Sequence, residues 1–250
     1  MTSSNELSGR VAIVTGAGRN IGRAIALDLA AGGADVVVNA RANQAEAAAV
    51  VREIEATGGR AIAVLADVTD TAAVERMAAA AVECFGRIDF LINNAAVRRE
   101  KPLDDMTFGE WREILAIILD GAFNCVKACL PQLRAGGAGA IVNIGGLSAS
   151  TGAKHRAHVV TAKAGLEGLT RALATELAGD NVTVNCVSPG FIATTRPKGA
   201  EPSHRMTHHT LSGRNGTSEE IAATVRFLSG PGARYITGQT IHVNGGAFLA

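Results

Sequence analysis

Short aliphatic and β-branched runs recur along the chain at Val11–Thr15, Asp35–Asn39, Ala61–Leu65, Asp89–Asn93, Ala140–Ile144, Val182–Val187 and Gln239–Val243. Each is a few residues long and nearly all apolar, the pattern of a strand covered on both faces. The stretches between them, such as Ala42–Thr57 and Thr71–Phe85, set apolar residues at helical spacing among Ala and Glu. Asp67 and Thr69 sit where the third run gives way to a helix, and Thr69 offers the hydroxyl of an N-cap. Regular alternation of strand and helix predicts right-handed βαβ crossovers and a doubly wound parallel sheet of about seven strands flanked by helices. No repeat, low-complexity tract or linker interrupts the pattern, so residues 1–250 read as one α/β domain. The long irregular stretch is 189–216, with three prolines, four glycines and many charges; a loop of that length in a compact domain reads as a substrate lid.

Composition narrows this picture. Hydrophobic residues make up 47% and aromatic ones 4%, so the core is built of Ala, Val, Ile and Leu. A net charge of +1 argues against a global pull toward nucleic acid or an anionic membrane. No uninterrupted apolar run reaches the roughly 18 residues of a membrane span. The polar N-terminus does not resemble a signal peptide, and the four cysteines lack metal-type spacing, with Cys125 and Cys129 reading as small apolar core residues. These features point to a cytosolic (cytoplasmic) protein. His204, His208 and His209 have no carboxylate or cysteine beside them, and no metal is expected.

The first strand runs directly into Thr15-Gly16-Ala17-Gly18-Arg19-Asn20-Ile21-Gly22, and a helix follows. Glycines there allow a tight turn and let backbone amides approach a pyrophosphate at the helix N-terminus, as in a Rossmann dinucleotide site. An NAD site usually ends its second strand with an acid for the ribose diol. Here that strand ends Val38-Asn39-Ala40-Arg41, and Arg41 with Arg19 suits a 2′-phosphate clamp. The expected cofactor is therefore NADP(H) rather than NAD(H).

Several further motifs, in order, resemble the classical short-chain dehydrogenase/reductase family over nearly the whole chain. Thr15–Gly22 resembles its Thr-Gly-x-x-x-Gly-x-Gly turn, with Asn20 in place of a glycine. Asp67-Val68 resembles the adenine-contacting pair, and Asn93-Asn94-Ala95-Ala96 the motif that ends the fourth strand. Thr161-Ala162-Lys163-Ala164-Gly165 resembles the active-site lysine helix. Ser188-Pro189-Gly190 resembles the motif beside the nicotinamide, and Tyr235–Gln239 with Val243–Gly246 the C-terminal strand signature. The resemblance implies that Gly16, Arg19, Asn20, Ile21, Gly22, Arg41, Asp67, Val68, Asn93, Ala95, Lys163, Pro189, Gly190, Ile192 and Thr194 contact the cofactor. It also implies a homodimer or homotetramer, for which Ile114–Leu119 and Ala162–Leu177 supply apolar segments, although core burial explains these too.

The family's catalytic pattern is Tyr-x-x-x-Lys with a Ser thirteen residues before the Tyr and an Asn in the preceding long helix, which begins here near Trp111. Counted back from Lys163, the first two positions carry Val159 and Gly146, and the Asn position aligns with Ile118 in Ala116-Ile117-Ile118-Leu119. The one tyrosine of the chain, Tyr235, lies far from Lys163 in sequence. A positioned acid–base group typically contributes about 10²–10⁴-fold, and Val159 contributes none. His155, at i, i+4, i+8 with Val159 and Lys163, shares their face if the helix already includes it, which makes it a replacement donor beside Lys163; His158 and Ser148 are weaker candidates. Arg98, Arg99 and Lys101 after the fourth strand, with Arg196, Lys198, Arg205 and Arg214 of the lid, form either a basic rim suited to an anionic substrate or a solvated surface. The sequence leaves three functions open: an NADP(H)-dependent oxidoreductase of carbonyl or alcohol substrates with a non-standard active site, a lyase or isomerase on the same scaffold, or an NADP-binding pseudoenzyme without turnover.

Overall fold

The computed structural model describes residues 5–195 and 210–250. Its elements run β1 (Val11–Val14), α1 (Asn20–Ala31), β2 (Asp35–Ala40), α2 (Gln44–Ala56), β3 (Ala61–Leu65), α3 (Thr71–Phe85), β4 (Phe90–Asn93), α4 (Phe108–Leu115), a π-helical segment (Ala116–Asp120), α5 (Gly121–Ala135), β5 (Ala140–Ile144), α6 (Ser148–Thr151), α7 (Ala157–Leu177), β6 (Thr183–Pro189), α8 (Ser218–Ser229) and β7 (Thr240–Val243). The expected α/β fold is found. Seven strands, all parallel, lie in the order β3-β2-β1-β4-β5-β6-β7. The chain leaves β3 at one edge and re-enters at β4 beside β1. The order therefore reverses between β1 and β4, which opens a crevice at the carboxyl ends of those strands.

Alternate strand residues face opposite layers. Ala12, Val14, Val36 and Val38 pack under α1, α2 and α8, while Ile13, Val37, Leu91, Ile141 and Val184 pack under α3, α5 and the end of α7. A third apolar cluster lies off the sheet, where Ile114, Ile118 and Ala122 of the α4–α5 helix meet Val159, Ala162 and Leu166 of α7. The segments offered as oligomer contacts thus bury much of their apolar surface within the chain. By length and composition the continuous helix Phe108–Ala135 could cross a membrane, at mean hydropathy 1.6, but 44% of that apolar stretch is buried inside the fold. Cys125 and Cys129 are buried in the core, as expected.

Helix starts follow local chemistry, with two corrections to the sequence reading. The cap of α3 is Asp70, whose side chain accepts from the Ala73 amide, and not Thr69. Thr69 instead donates its amide and hydroxyl to Asp67 Oδ1, at 2.9 and 2.8 Å. The long helix begins at Phe108, ahead of Trp111, because Thr107 and Glu110 form a reciprocal capping box. The irregular stretch after β6 also starts later than expected, since the strand includes Pro189.

Candidate active site

The turn after β1 is held from three sides. Thr15 Oγ1 donates to the Ile92 carbonyl (3.2 Å) and accepts from the amides of Asn94 (2.9 Å) and Ala95 (3.0 Å). The Asn94 amide group donates to the carbonyls of Thr15 and Gly16 at 2.8 and 3.0 Å. Asn39 Oδ1 accepts from the Gly16 amide at 3.2 Å, while its NH₂ donates to Val64 and Ala66 carbonyls across β3. The residue near the end of β2, where an NAD site would carry its acid, is thus an amide committed to the turn. Gly16 has φ +61°. A Cβ on Gly22 would sit 2.4 Å from the Gly16 carbonyl oxygen and 2.5 Å from Asn94 Nδ2. The glycines therefore make a close-packed cradle at the start of α1, with Ile21 buried beneath and Arg19 at the solvent side. Arg41 is exposed just past β2.

The rest of the crevice lies beside this cradle. Thr15, Val68, Asn93, Ala95, Ile117 and Ile118 line it. Asn93 Nδ2 donates to Asn143 Oδ1, and Asn143 Nδ2 donates to Thr170 Oγ1, both at 2.9 Å, which joins β4, β5 and α7. Asn93 Oδ1 is buried without a partner within the described structure. Such a group costs free energy unless something donates to it. Asn124 Nδ2 donates to the Val68 carbonyl at 3.0 Å, which fixes the wall after β3.

Lys163 is buried, and its Nζ donates to the Ile144 carbonyl at the end of β5 at 2.5 Å. Burial, with Arg98 and Arg156 nearby, pushes its ammonium down to about 7. Val159, one turn earlier on α7, is 2% exposed and joins Ile118 in the apolar cluster between α4–α5 and α7. Gly146 follows β5, and a Cβ there would meet nothing within 4 Å. Gly190 packs against Asn244, where a Cβ would approach to 2.6 Å, and its amide donates to Val243. Ile192, just past Pro189 and Gly190, is buried and bridges to Gly216. Thr194 follows it on the segment that leaves β6.

His155 does not share this face. α7 begins at Ala157, and His155 sits before it at φ +60°, its carbonyl accepting from the Lys101 amide. The i, i+4, i+8 argument needs a helix that the backbone does not make there. His158 is the buried histidine: 1% exposed, its Nδ1 accepts from the Val159 amide at 3.0 Å, and burial lowers its pKa. The basic rim is largely paired, Arg99 with Glu113, Lys101 with Glu110 and Arg214 with Glu220. Arg196, Lys198, Arg205 and the histidines at 204, 208 and 209 lie outside the described residues.

A family model described as enoyl-(acyl carrier protein) reductase matches residues 16–247, from the glycine cradle to the C-terminal strand. The chain belongs to the short-chain dehydrogenase/reductase family. Curated relatives in the family include the 3-oxoacyl-[acyl-carrier-protein] reductase FabG of Staphylococcus aureus, 42% identical over 95% of this chain and 98% of its own. The 3-oxoacyl-[acyl-carrier-protein] reductase of Synechocystis is 44% identical over 97% of this chain and 98% of its own. Among solved structures, a dehydrogenase/reductase from Sinorhizobium meliloti superposes with TM-score 0.93 at 34% identity, covering 99% of this chain and 98% of its own. A short-chain dehydrogenase from Burkholderia cenocepacia in complex with NADP superposes with TM-score 0.90 at 36% identity, covering 97% and 99%.

Within this family member, sequence reading passed over Thr15, Asn39 and Asn94 as site residues. A signal was present for Asn39, a lone amide closing a run of valines, which in a buried strand must find partners. Asn143 and Thr170 carried the same signal and were missed because their partners lie on other elements.

Proposed function

We propose that the protein is an NADP(H)-dependent oxidoreductase acting on a carbonyl or alcohol substrate, with an active site that departs from the family's usual one. The observation that carries the cofactor assignment is the cradle at Gly16 and Gly22, where a methyl group would fill the space needed for the turn. Exposed Arg19 and Arg41, with no acid ending β2, suit a 2′-phosphate. The buried acceptor of Asn93 fits a donor from the cofactor. Bound NADPH would supply the hydride. The names of the curated relatives make a 3-oxoacyl thioester the first substrate to test.

The departure lies in the proton. We read Val159, Gly146 and Ile118 as standing at the Tyr, Ser and Asn positions. Reduction of a carbonyl leaves an oxyanion that must be protonated, and the apolar Val159–Ile118 pair offers no hydrogen. Lys163, with its ammonium near neutrality at the end of β5, is the group that holds a transferable proton. It delivers that proton directly or through a water. The whole chain serves as one cofactor-binding domain, and the assembly is a homodimer or homotetramer.

NADPH oxidation, followed by absorbance over a panel of 3-oxoacyl thioesters and simple carbonyls, tests the assignment. Slow turnover that rises in a Val159→Tyr/Gly146→Ser variant is the expected result. NADPH binding with no turnover of any substrate favours a cofactor-holding protein without chemistry, a reading that the apolar cluster at Val159 also supports. Substrate conversion without net NADPH oxidation favours a lyase or isomerase. Absence of NADPH binding overturns the proposal.

A further inference from the structure

Asn20 opens α1 at φ +50°, in the left-handed region where the related turn carries glycine. Its carboxamide is not left to solvent. Oδ1 accepts from the Thr195 amide at 2.9 Å, and Nδ2 donates to the Thr195 carbonyl at 3.3 Å. Two hydrogen bonds of opposite direction to the backbone of one residue fix both its distance and its orientation. A glycine at position 20 makes neither.

Thr195 ends the described segment that leaves β6, and that segment is anchored along its length. Gly190 donates its amide to Val243, Ala193 donates to Gly216, and Gly216 donates to Phe191, each at 2.9 Å. Phe191 and Ile192 are buried. In the sheet β4 and β5 lie between β1 and β6, so the Asn20–Thr195 bonds join the segment after β6 to the turn after β1 across two strand positions, at the carboxyl end of the sheet. It forms a strap from the end of β6 to the glycine turn. Its near end is built into the core, and the Asn20 carboxamide holds its far end at the surface.

We propose that Asn20 is a positioning residue that latches the Gly190–Thr195 strap to the glycine turn and so slows departure of the dinucleotide. The proposal rests on the reading that NADP(H) occupies this crevice. The latch bonds are solvent-exposed, so they break and reform without disturbing the core.

Stopped-flow displacement of NADPH from the full-length protein tests this. Asn20→Gly keeps the left-handed backbone and removes both bonds. The expected result is release about tenfold faster, the effect of losing two exposed hydrogen bonds, with association accelerated as well, since a latch that opens for exit opens for entry. The melting midpoint of the cofactor-free protein should move little, since glycine relieves the left-handed strain at position 20 as the two exposed bonds are lost. Thr195→Pro removes the partner amide and should also accelerate release, and the double variant should be no faster than the quicker single one. Full NADPH binding with an unaltered release rate in Asn20→Gly overturns the proposal, as do strictly additive effects of the two substitutions. A wild-type protein that binds no NADPH overturns the cofactor reading and this proposal with it.

Discussion

Gly22 has no room for a methyl group. A Cβ there would press on the Gly16 carbonyl oxygen at 2.4 Å and on Asn94 Nδ2 at 2.5 Å, the second a side-chain group pinned to the turn by its bonds to the Thr15 and Gly16 carbonyls. Gly22→Ala is expected to open the turn at a cost of about 1–3 kcal/mol, which weakens NADPH binding roughly ten- to a hundredfold. Titration of NADPH fluorescence would measure it. Lys163 sets a pH signature at the same scale. Its folded-state pKa is pushed down to about 7 by burial, whereas the unfolded chain keeps the proton up to the ordinary lysine range. Between those limits the unfolded state binds more protons, so stability of the cofactor-free protein rises with pH from about 7 to about 10. Below about 7 both states are charged and this dependence disappears. Denaturant unfolding across that range should show the rise, and Lys163→Met should flatten it. On the proposed role of Lys163 as proton donor, carbonyl reduction should fall as pH climbs through about 7. A pH–rate profile checks this.

At the scale of elements, the site depends on links between strands and helices that hold polar groups in a dry interior. The chain Asn93–Asn143–Thr170 ties β4 to β5 to α7 beneath the crevice. Asn143→Ala would leave the Asn93 NH₂ without its acceptor, while the Thr170 hydroxyl keeps its bond to the Leu166 carbonyl, and should cost about 2–3 kcal/mol in urea unfolding. The π-helical segment between α4 and α5 seats Ile118 against Val159. An added residue in the turn of a helix shifts the faces that follow it, and such bulges favour functional sites. Helical periodicity in the sequence assumes a uniform turn, so this shift was not legible. The strands were legible within one or two residues, because their apolar runs record burial on both faces. The start of α7 was not: the left-handed backbone at His155 breaks the face that spacing alone assigned to it.

Over the whole molecule, site and fastening lie at opposite ends of the sheet. Asp89, just before β4, is buried and accepts from Arg10 Nη1 (2.7 Å), from Arg87 Nε and Nη2 (2.7 and 2.6 Å) and from the Val11 amide (3.0 Å). This knot joins the amino ends of β1 and β4, whereas the crevice opens at their carboxyl ends. Both arginines are partly exposed, so they regain water when the carboxylate is lost. Asp89→Ala should destabilise the fold by about 2–3 kcal/mol, less than for a fully buried pair. Arg226 makes a second fastening, holding Glu6 and Asp28 and so joining α8, α1 and the start of the chain.

The order of apolar runs and helical stretches determined the parallel α/β architecture, since each strand's pattern of burial is written in its own residues. The glycine spacing after the first run likewise determined the cradle, because a tight turn constrains neighbours within a few positions. Packing alone decided which distant residues meet: Asn20 with Thr195, Val159 with Ile118, and Asn143 with both Asn93 and Thr170. Those pairings depend on how far the chain travels around the sheet and on the turn by which each helix begins. Local periodicity carries the direction in which a side chain points, but not the partner it finds there.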